Sequence, residues 1–172
     1  MSLRGHHIAE STHEEEISFL VVRFGDTRLA LPADGVRGVL TSAEAGGEDS
    51  VRAVGIVYRH IDLAGLLTLS ADFNTTDTRV VLYSNGRSHA AVRVEQVFGL
   101  TDVVPVQCVP LPTHFRAEER NWFSGMILHE GGIALVVNPT WLLGEMAEVV
   151  SMVSGAKSRE PIARIVEGGV SC

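Results

Sequence analysis

Apolar residues along this chain fall into short runs that are separated by turn signals. Phe19–Phe24 is apolar and β-branched, Gly25-Asp26 marks a turn, and the strand pattern resumes at Arg28 and stops at Pro32. Comparable runs follow at Val36–Leu40, Val51–Val54, Ile56–Ile61, Arg79–Tyr83, Ser88–Val94, Val97–Leu100, Val103–Val106, Trp122–Leu128 and Ile133–Val137. This pattern predicts a mainly β protein made of short strands.

Turn and cap residues place hairpins and helices between these runs. Asn85-Gly86 and Glu130–Gly132 suit tight hairpin turns. Asp62 is an N-cap candidate for a short helix that begins at Leu63, because its carboxylate can accept from free N–H groups of the first turn. Asn138 precedes Pro139 in the order that starts a helix, which we expect to run to about Val153.

The two halves of the chain resemble each other. At an offset of 61 positions, an acidic residue, a valine and a glycine coincide: Asp34 with Glu95, Val36 with Val97, and Gly38 with Gly99. At an offset of 76, Ile61-Asp62-Leu63 coincides with Val137-Asn138-Pro139, and Leu66-Leu67 with Leu142-Leu143. The second half therefore holds about 15 extra residues between these two anchors. A chance likeness between short apolar strands is the alternative to a true repeat.

A doubled unit of short strands predicts two SH3-like small five-stranded β-barrels, with short helices and a C-terminal helix. Closed barrels also remove the exposed edges that such strands would otherwise present. We expect these boundaries: a disordered tail over 1–16, one domain over 17–155, a first barrel over about 17–75, a second over about 76–140, the C-terminal helix over about 139–153, and a flexible tail over 156–172.

Composition and charge narrow the class of protein. Aromatic residues make up only 6% of the 172 residues, so aliphatic side chains must supply the core. The net charge of −7 disfavours nucleic acid as a partner. No apolar run approaches the length of a membrane span, and the first residues do not read as a secretory signal. The two cysteines do not make a disulfide framework. We therefore expect a cytoplasmic protein without membrane insertion.

Candidate chemistry is sparse. His60 and Asp62 are two apart, but no nucleophile accompanies them, and a structural histidine beside a capping aspartate explains both. Cys108 lies in an apolar stretch and reads as an inert thiol. The histidines of the N-terminal tail match no metal-site spacing. We expect no enzymatic activity, no metal and no cofactor.

The ordered segments from about Ser18 to Leu143 resemble the CheW family of chemotaxis coupling proteins. Phe19–Pro32 is similar to the family's first hairpin, Val36–Leu40 to its V-x-E-I-I segment, and Ile61–Leu63 to the end of its IPVIDL run. Arg79–Tyr83 with Gly86-Arg87 and Val92–Val97 is similar to its RVVVVEVGGRRVGLVVDEV stretch, and Phe123–Asn138 to its last hairpin. The order of these segments is more specific than any one of them.

The resemblance implies a scaffold that joins two partners. These are the regulatory domain of a CheA-type histidine kinase and the cytoplasmic tip of a chemoreceptor. It also implies contact residues: Val36, Val39 and Leu40 for the receptor, and Val54, Ile56 and Tyr58 for the kinase. Each of these six side chains has the alternative of being simply core.

Three departures from the family pattern bear on partner binding. Arg52–Gly55 leads almost directly into Ile56, so about four residues, including an Asn-Leu-Arg core, are missing. Gly38 replaces an acidic residue, and Arg59 stands where the family carries proline. A divergent interaction module that does not bridge receptor and kinase, in another two-component or motility pathway, is therefore the alternative function. A small-ligand or enzymatic double barrel would need a polar pocket that the sequence does not indicate.

Overall fold

The computed structural model describes residues 16–46 and 49–144. In this part of the chain the strands are β1 (Ile17–Phe24), β2 (Thr27–Pro32), β3 (Val36–Thr41), β4 (Ser50–Ala53), β5 (Ile56–Ile61), β6 (Arg79–Ser84), β7 (His89–Val94), β8 (Gln96–Val103), β9 (Phe123–His129) and β10 (Gly132–Val137). The helices are single turns: α1 (Ser42–Ala45), α2 (Leu63–Leu66), α3 (Glu119–Trp122) and α4 (Pro139–Leu142), with 3₁₀ turns at Ala33–Gly35 and Pro105–Gln107.

The strands form two five-stranded sheets. The first sheet has the order β8-β1-β2-β10-β9, and the second has the order β3-β6-β7-β5-β4. Neighbouring strands are antiparallel except where β2 meets β10 and β5 meets β7, which are parallel pairs. Both sheets curl into half-barrels, which confirms the predicted mainly β fold with two SH3-like units.

The first sheet combines β1 and β2 with β8–β10, whereas the second consists of the consecutive strands β3–β7. The β1–β2 hairpin of the first half pairs with β8 and β10 of the second half, while the β6–β7 hairpin of the second half pairs with β3 and β5 of the first. The predicted division into a barrel over 17–75 and a barrel over 76–140 is therefore wrong. The repeat could not reveal this, because it looks the same in the sequence whether each hairpin pairs with strands of its own half or of the other half.

The first exchanged hairpin is apolar on both faces. On β1, Phe19 and Val21 face a core inside the first half-barrel, whereas Leu20 and Val22 face a larger central core that both sheets share. Strands that are buried on both faces read as continuous apolar runs rather than as alternating ones. The uninterrupted run that begins at Phe19 thus reflects a strand placed between two cores.

The second exchanged hairpin repeats this arrangement. Val81 and Tyr83 of β6 face the central core, and Val80 and Leu82 face the core of the second half-barrel. Each Å² of apolar surface removed from water stabilises the folded state by about 25 cal/mol. Because each hairpin adds to two cores at once, the exchange is the main source of contact between the halves.

The first crossing between the sheets, from β2 to β3, depends on close packing. A Cβ built on Gly35 would lie 2.2 Å from Cζ of Tyr83, so no larger residue fits there without displacing the ring. The Tyr83 hydroxyl donates to the carbonyl of Pro32 at 3.1 Å. Burial raises the pKa of Tyr83, and the nearby Asp34 carboxylate adds to the effect.

The second crossing, from β7 to β8, consists of one residue, Glu95, which is only 8% exposed. Its Oε2 accepts from the backbone N–H of Gly25 at 2.9 Å and of Asp72 at 3.2 Å. Its Oε1 accepts from the Arg23 guanidinium at 2.9 Å. The hydrogen bonds from Gly25 and Asp72, together with the Arg23 charge, lower the pKa of Glu95 although burial opposes them.

The structure differs locally from two predictions, for the last helix and for the runs at 97–106. The predicted helix over about 139–153 is wrong as one helix, because α4 ends at Leu142 and Gly144 has a φ of +76°, outside the helical region. Residues 145–153 and both predicted tails, apart from Glu16, lie outside the described residues. The two runs at 97–106 form one strand, β8, followed by a 3₁₀ turn. The polar 41–50 segment holds α1, which Thr41 and Glu44 close with a capping box.

Replacing Glu95 tests the second crossing. A carboxylate with a lowered folded-state pKa stabilises the fold fully above its unfolded pKa of about 4.3, and this contribution is lost as the pH falls through the folded-state value. We expect Glu95→Gln to reduce the free energy of unfolding at pH 7 by about 1–2 kcal/mol. The difference from wild type should shrink in acid. Denaturant melts from pH 3 to pH 7 measure both effects.

The matched control is Glu118→Gln, since the Glu118 carboxylate is exposed and forms no side-chain hydrogen bond or ion pair within the described ranges. It should leave the pH profile unchanged. An equal loss in both variants, or a Glu95→Gln deficit that persists undiminished at pH 3, would contradict the assigned role of Glu95.

Candidate protein-interaction site

The β4–β5 hairpin turns through two residues, Val54 and Gly55, with φ of +50° and +78°. The β9–β10 hairpin has the same turn at Glu130 and Gly131, with φ of +47° and +72°. Tight hairpins of this kind need positive φ at both central positions, which favours Asn-Gly over a β-branched residue. The two turns are 76 positions apart, so they are equivalent in the repeat.

Val54 is the unusual residue at this turn. Its backbone is in the left-handed region, where a β-branched side chain is strained by about 1–2 kcal/mol. Its side chain is fully exposed, so no packing against the described residues offsets that strain. Ile56 and Val57 are 38% and 49% exposed beside it. We call Val54, Ile56 and Val57 the apolar tip.

The three kinase-contact residues implied by the resemblance separate in the structure. Val54 and Ile56 belong to the apolar tip, but Tyr58 is only 4% exposed and packs with Val51 in the core of the second half-barrel. Its ring lies 5.5 Å from that of His89. Tyr58 therefore belongs to the core and does not face a partner. Val57, which the sequence did not single out, joins the exposed set instead.

The three receptor-contact residues lie on β3, an edge strand of the second sheet. Val36 is half-buried against the central core, and Leu40 is half-buried against the core of the second half-barrel. Val39 is 40% exposed. It lines a groove of about 290 Å³ together with Asp77, Arg79, Gln96 and Val97. Because Gln96 and Val97 begin β8, this groove lies between edge strands of the two sheets.

Two further residues of this region went unnoticed in the sequence. Val97 lines the groove and is equivalent to Val36 at the offset of 61. Leu100 is 68% exposed on β8 and is equivalent to Val39 at the same offset. The repeat was the signal that could have identified both. The offset places an exposed aliphatic residue at matching positions of the two outer strands, β3 and β8.

Asp62, His60 and Cys108, the residues with side chains capable of chemistry, can be placed in the fold. Asp62 caps α2, with Oδ1 accepting from the Gly65 N–H at 2.9 Å, as expected. His60 lies with Asp62, Phe73 and Arg93 around an open cavity of about 250 Å³. Cys108 is half-buried against the core of the first half-barrel. Within residues 16–46 and 49–144, no three His, Cys, Asp or Glu side chains gather as a metal ion would require.

Comparison with known proteins identifies the family. A family model described as the CheW-like domain matches residues 18–146, which is most of the chain. The chain belongs to the CheW-like family. This confirms the resemblance seen in the sequence and supports a role as a scaffold or adaptor protein of the chemotaxis type.

A solved structure shows the same fold as this CheW-like chain. It is that of the scaffolding protein TtCheW from Thermoanaerobacter tengcongensis, which aligns with a TM-score of 0.59 and 14% identity over 72% of this chain and 90% of that one. No curated protein sequence matches the CheW-like chain. None of its helices in the described ranges is long and apolar enough to span a bilayer.

Changing Val54 tests the strain at the apolar tip. Asparagine adopts positive φ readily and suits the residue before glycine in this turn. We expect Val54→Asn to raise the free energy of unfolding by about 1 kcal/mol, because it relieves strain and breaks no packing. Urea melts measure the change.

The equivalent substitution Glu130→Asn is the control. Glutamate has no β-branch, so its replacement should stabilise the protein less than Val54→Asn does. A loss of stability in Val54→Asn would mean that the valine side chain does stabilise the isolated fold, and the strain argument would be wrong.

Proposed function

We propose that this CheW-like protein joins the regulatory domain of a CheA-type histidine kinase to the cytoplasmic tip of a chemoreceptor, as a non-enzymatic cytoplasmic scaffold. The apolar tip is the kinase-binding surface, and the groove between β3 and β8 is the receptor-binding surface. The observation that carries the proposal is Val54, a strained and fully exposed β-branched residue.

The apolar tip has the properties of a docking surface. Backbone strain persists where function requires it, and here it holds a valine clear of the fold. Ile56 and Val57 extend the apolar surface on both faces of the same hairpin. Aliphatic anchors that become buried at the centre of an interface supply much of its binding energy. The tip therefore suits an apolar patch on a partner domain.

The groove between β3 and β8 supports a separate contact. Val39 lines it from the second sheet and Val97 from the first. Leu100 lies exposed farther along β8. A partner that contacts both edge strands would bury aliphatic side chains from each half of the repeat. This arrangement leaves the apolar tip free, so one molecule can hold two partners.

The kinase surface is tested by Val54→Asn and Ile56→Asp. We expect both variants to bind the regulatory domain of a CheA-type kinase at least tenfold more weakly than wild type, although Val54→Asn is the more stable protein. Isothermal titration calorimetry measures the affinity. Loss of binding with a gain in stability cannot be explained by unfolding.

Val106→Asp is the matched control for this measurement, since Val106 is 80% exposed but lies on a 3₁₀ turn outside the apolar tip. It should bind the kinase domain as wild type does. If Val54→Asn and Ile56→Asp retain full affinity, the apolar tip does not bind the kinase.

The receptor surface is tested by Val39→Asp and Leu100→Asp. Each should reduce capture by a receptor cytoplasmic fragment at least fivefold in a pull-down, because a charge replaces an exposed aliphatic contact. Neither should change affinity for the kinase domain. Unchanged receptor capture by both variants would exclude β3 and β8 as the receptor surface.

A second candidate function rests on the short β4–β5 turn. Only Val54 and Gly55 connect these strands, where the family pattern carries the Asn-Leu-Arg segment. A module that lacks this segment could bind one partner only, in another two-component or motility pathway. Recovery of kinase and receptor together in one complex with the wild-type chain would exclude this alternative.

A further inference from the structure

The outer edge of β4 carries backbone groups without partners. The Asp49 carbonyl accepts from the His60 N–H at 3.0 Å, which fixes the alternation of the β4–β5 ladder. In that register the N–H and C=O groups of Ser50 and Arg52 point away from β5. Because β4 is the last strand of the second sheet, no described segment of the chain bonds to them.

The equivalent edge in the other half is covered by the chain itself. Met126 of β9, which is 76 positions from Ser50, exchanges two hydrogen bonds with Val109. The Val109 N–H donates to the Met126 carbonyl, and the Met126 N–H donates to the Val109 carbonyl, both at 2.8 Å. This isolated bridge occupies the outer edge of β9 at Met126.

The difference follows from the lengths of the two connections. The segment from β8 to β9 spans residues 104–122 and includes Val109, whereas the segment from β3 to β4 spans only 42–49. The extra length of the second half is therefore what covers its edge strand. The connection over 42–49 is too short to do the same for β4, so that edge has no cover among the described residues.

Charge indicates the kind of strand that fits. Arg52 lies directly across the hairpin from Val57, and Ser50 lies directly across from Arg59. All four side chains are on the same face of the hairpin. Both arginines are exposed, and neither forms an ion pair within the described ranges. A second copy of this chain would bring like charges together, which opposes self-pairing. An acidic strand would place carboxylates opposite Arg52.

We propose that the β4 edge binds an extended acidic segment of a partner protein by strand addition, in the way that residue Val109 covers β9 within the chain. Main-chain hydrogen bonds to Ser50 and Arg52 supply the binding, and Arg52 selects for acidic residues. This site adjoins the apolar tip at Val57, but it uses the outer backbone edge of β4 and does not depend on the kinase-binding proposal.

The experiment uses the full chain and a synthetic peptide, acetyl-Glu-Val-Glu-Val-Glu-amide. Alternation places its three glutamates on one face, and when the peptide adds to β4 that face is the one that carries Arg52. Amide exchange followed by NMR should slow at least fivefold at Ser50 and Arg52 in saturating peptide. Exchange at Val51 and Ala53, whose amides face β5, should remain unchanged. The same peptide with N-methylated glutamates should protect neither edge residue.

Two variants test the backbone and charge contributions separately. Ser50→Pro removes an N–H that the fold does not use, and proline is tolerated on an edge strand, so peptide protection should be lost while the thermal midpoint is retained. Arg52→Glu should reverse the preference, so that a Lys-Val-Lys-Val-Lys peptide protects Ser50 better than the glutamate peptide does.

The outcomes are distinct. The proposal is supported if the glutamate peptide slows exchange at Ser50 and Arg52 in the wild-type chain, if Ser50→Pro abolishes the protection, and if Arg52→Glu reverses the preference between the two peptides. Equal protection by both peptides in the wild-type chain, or none, overturns it. Protection of Ser50 and Arg52 that appears with rising protein concentration and without peptide would identify a second copy as the occupant and also overturn it. Kinase-domain affinity should be unchanged in Ser50→Pro, which separates this site from the apolar tip.

Discussion

The exchange of hairpins between the two halves is the constraint on which the rest of the structure depends. The β1–β2 hairpin completes the sheet of β8–β10, and the β6–β7 hairpin completes the sheet of β3–β5. Neither the chain before β6 nor the chain from β6 onward holds all five strands of a sheet, so each half needs strands of the other. Pairings between strands so distant in sequence make loop closure costly and folding comparatively slow. The Tyr83 and Glu95 contacts fix the two points where the chain crosses.

The surfaces that we propose for partners lie where the repeat is broken. The two edge hairpins share the same turn, but one has Val54 at the position where the other has Glu130. The two end strands are equivalent, but Val109 covers β9 and no described residue covers β4. A symmetric scaffold would offer each surface twice and could not distinguish its partners. Substitutions at a turn and a difference in one connection are enough to make the halves unequal without changing the core.

Much of the fold could be predicted from the sequence because its signals are local. The Asp62 and Asn138 caps, the hairpin turns and most strand positions follow from side-chain chemistry over a few residues. Which half a hairpin pairs with is decided by contacts between residues far apart in sequence. An apolar run such as that of β1 would be buried equally well in a sheet of its own half or of the other half. The face of β5 that turns inward depends on the register of its pairing with β4 and β7, which is also a long-range property. The sequence alone therefore did not distinguish Tyr58 in the core from Val57 on the surface.

Burial of the exchanged hairpins on both faces also determines where partners can bind. The faces of β1, β2, β6 and β7 are largely taken up by the three cores, so surface for binding remains mainly at hairpin tips, on edge strands and in the groove between sheets. Strain at Val54 is tolerable for this reason, since the turn projects from the core and a cost of about 1–2 kcal/mol is small against a typical stability of about 5–15 kcal/mol. A doubled barrel of this kind concentrates its stability in the middle, and its outer hairpins can depart from the most stable sequence to meet other proteins.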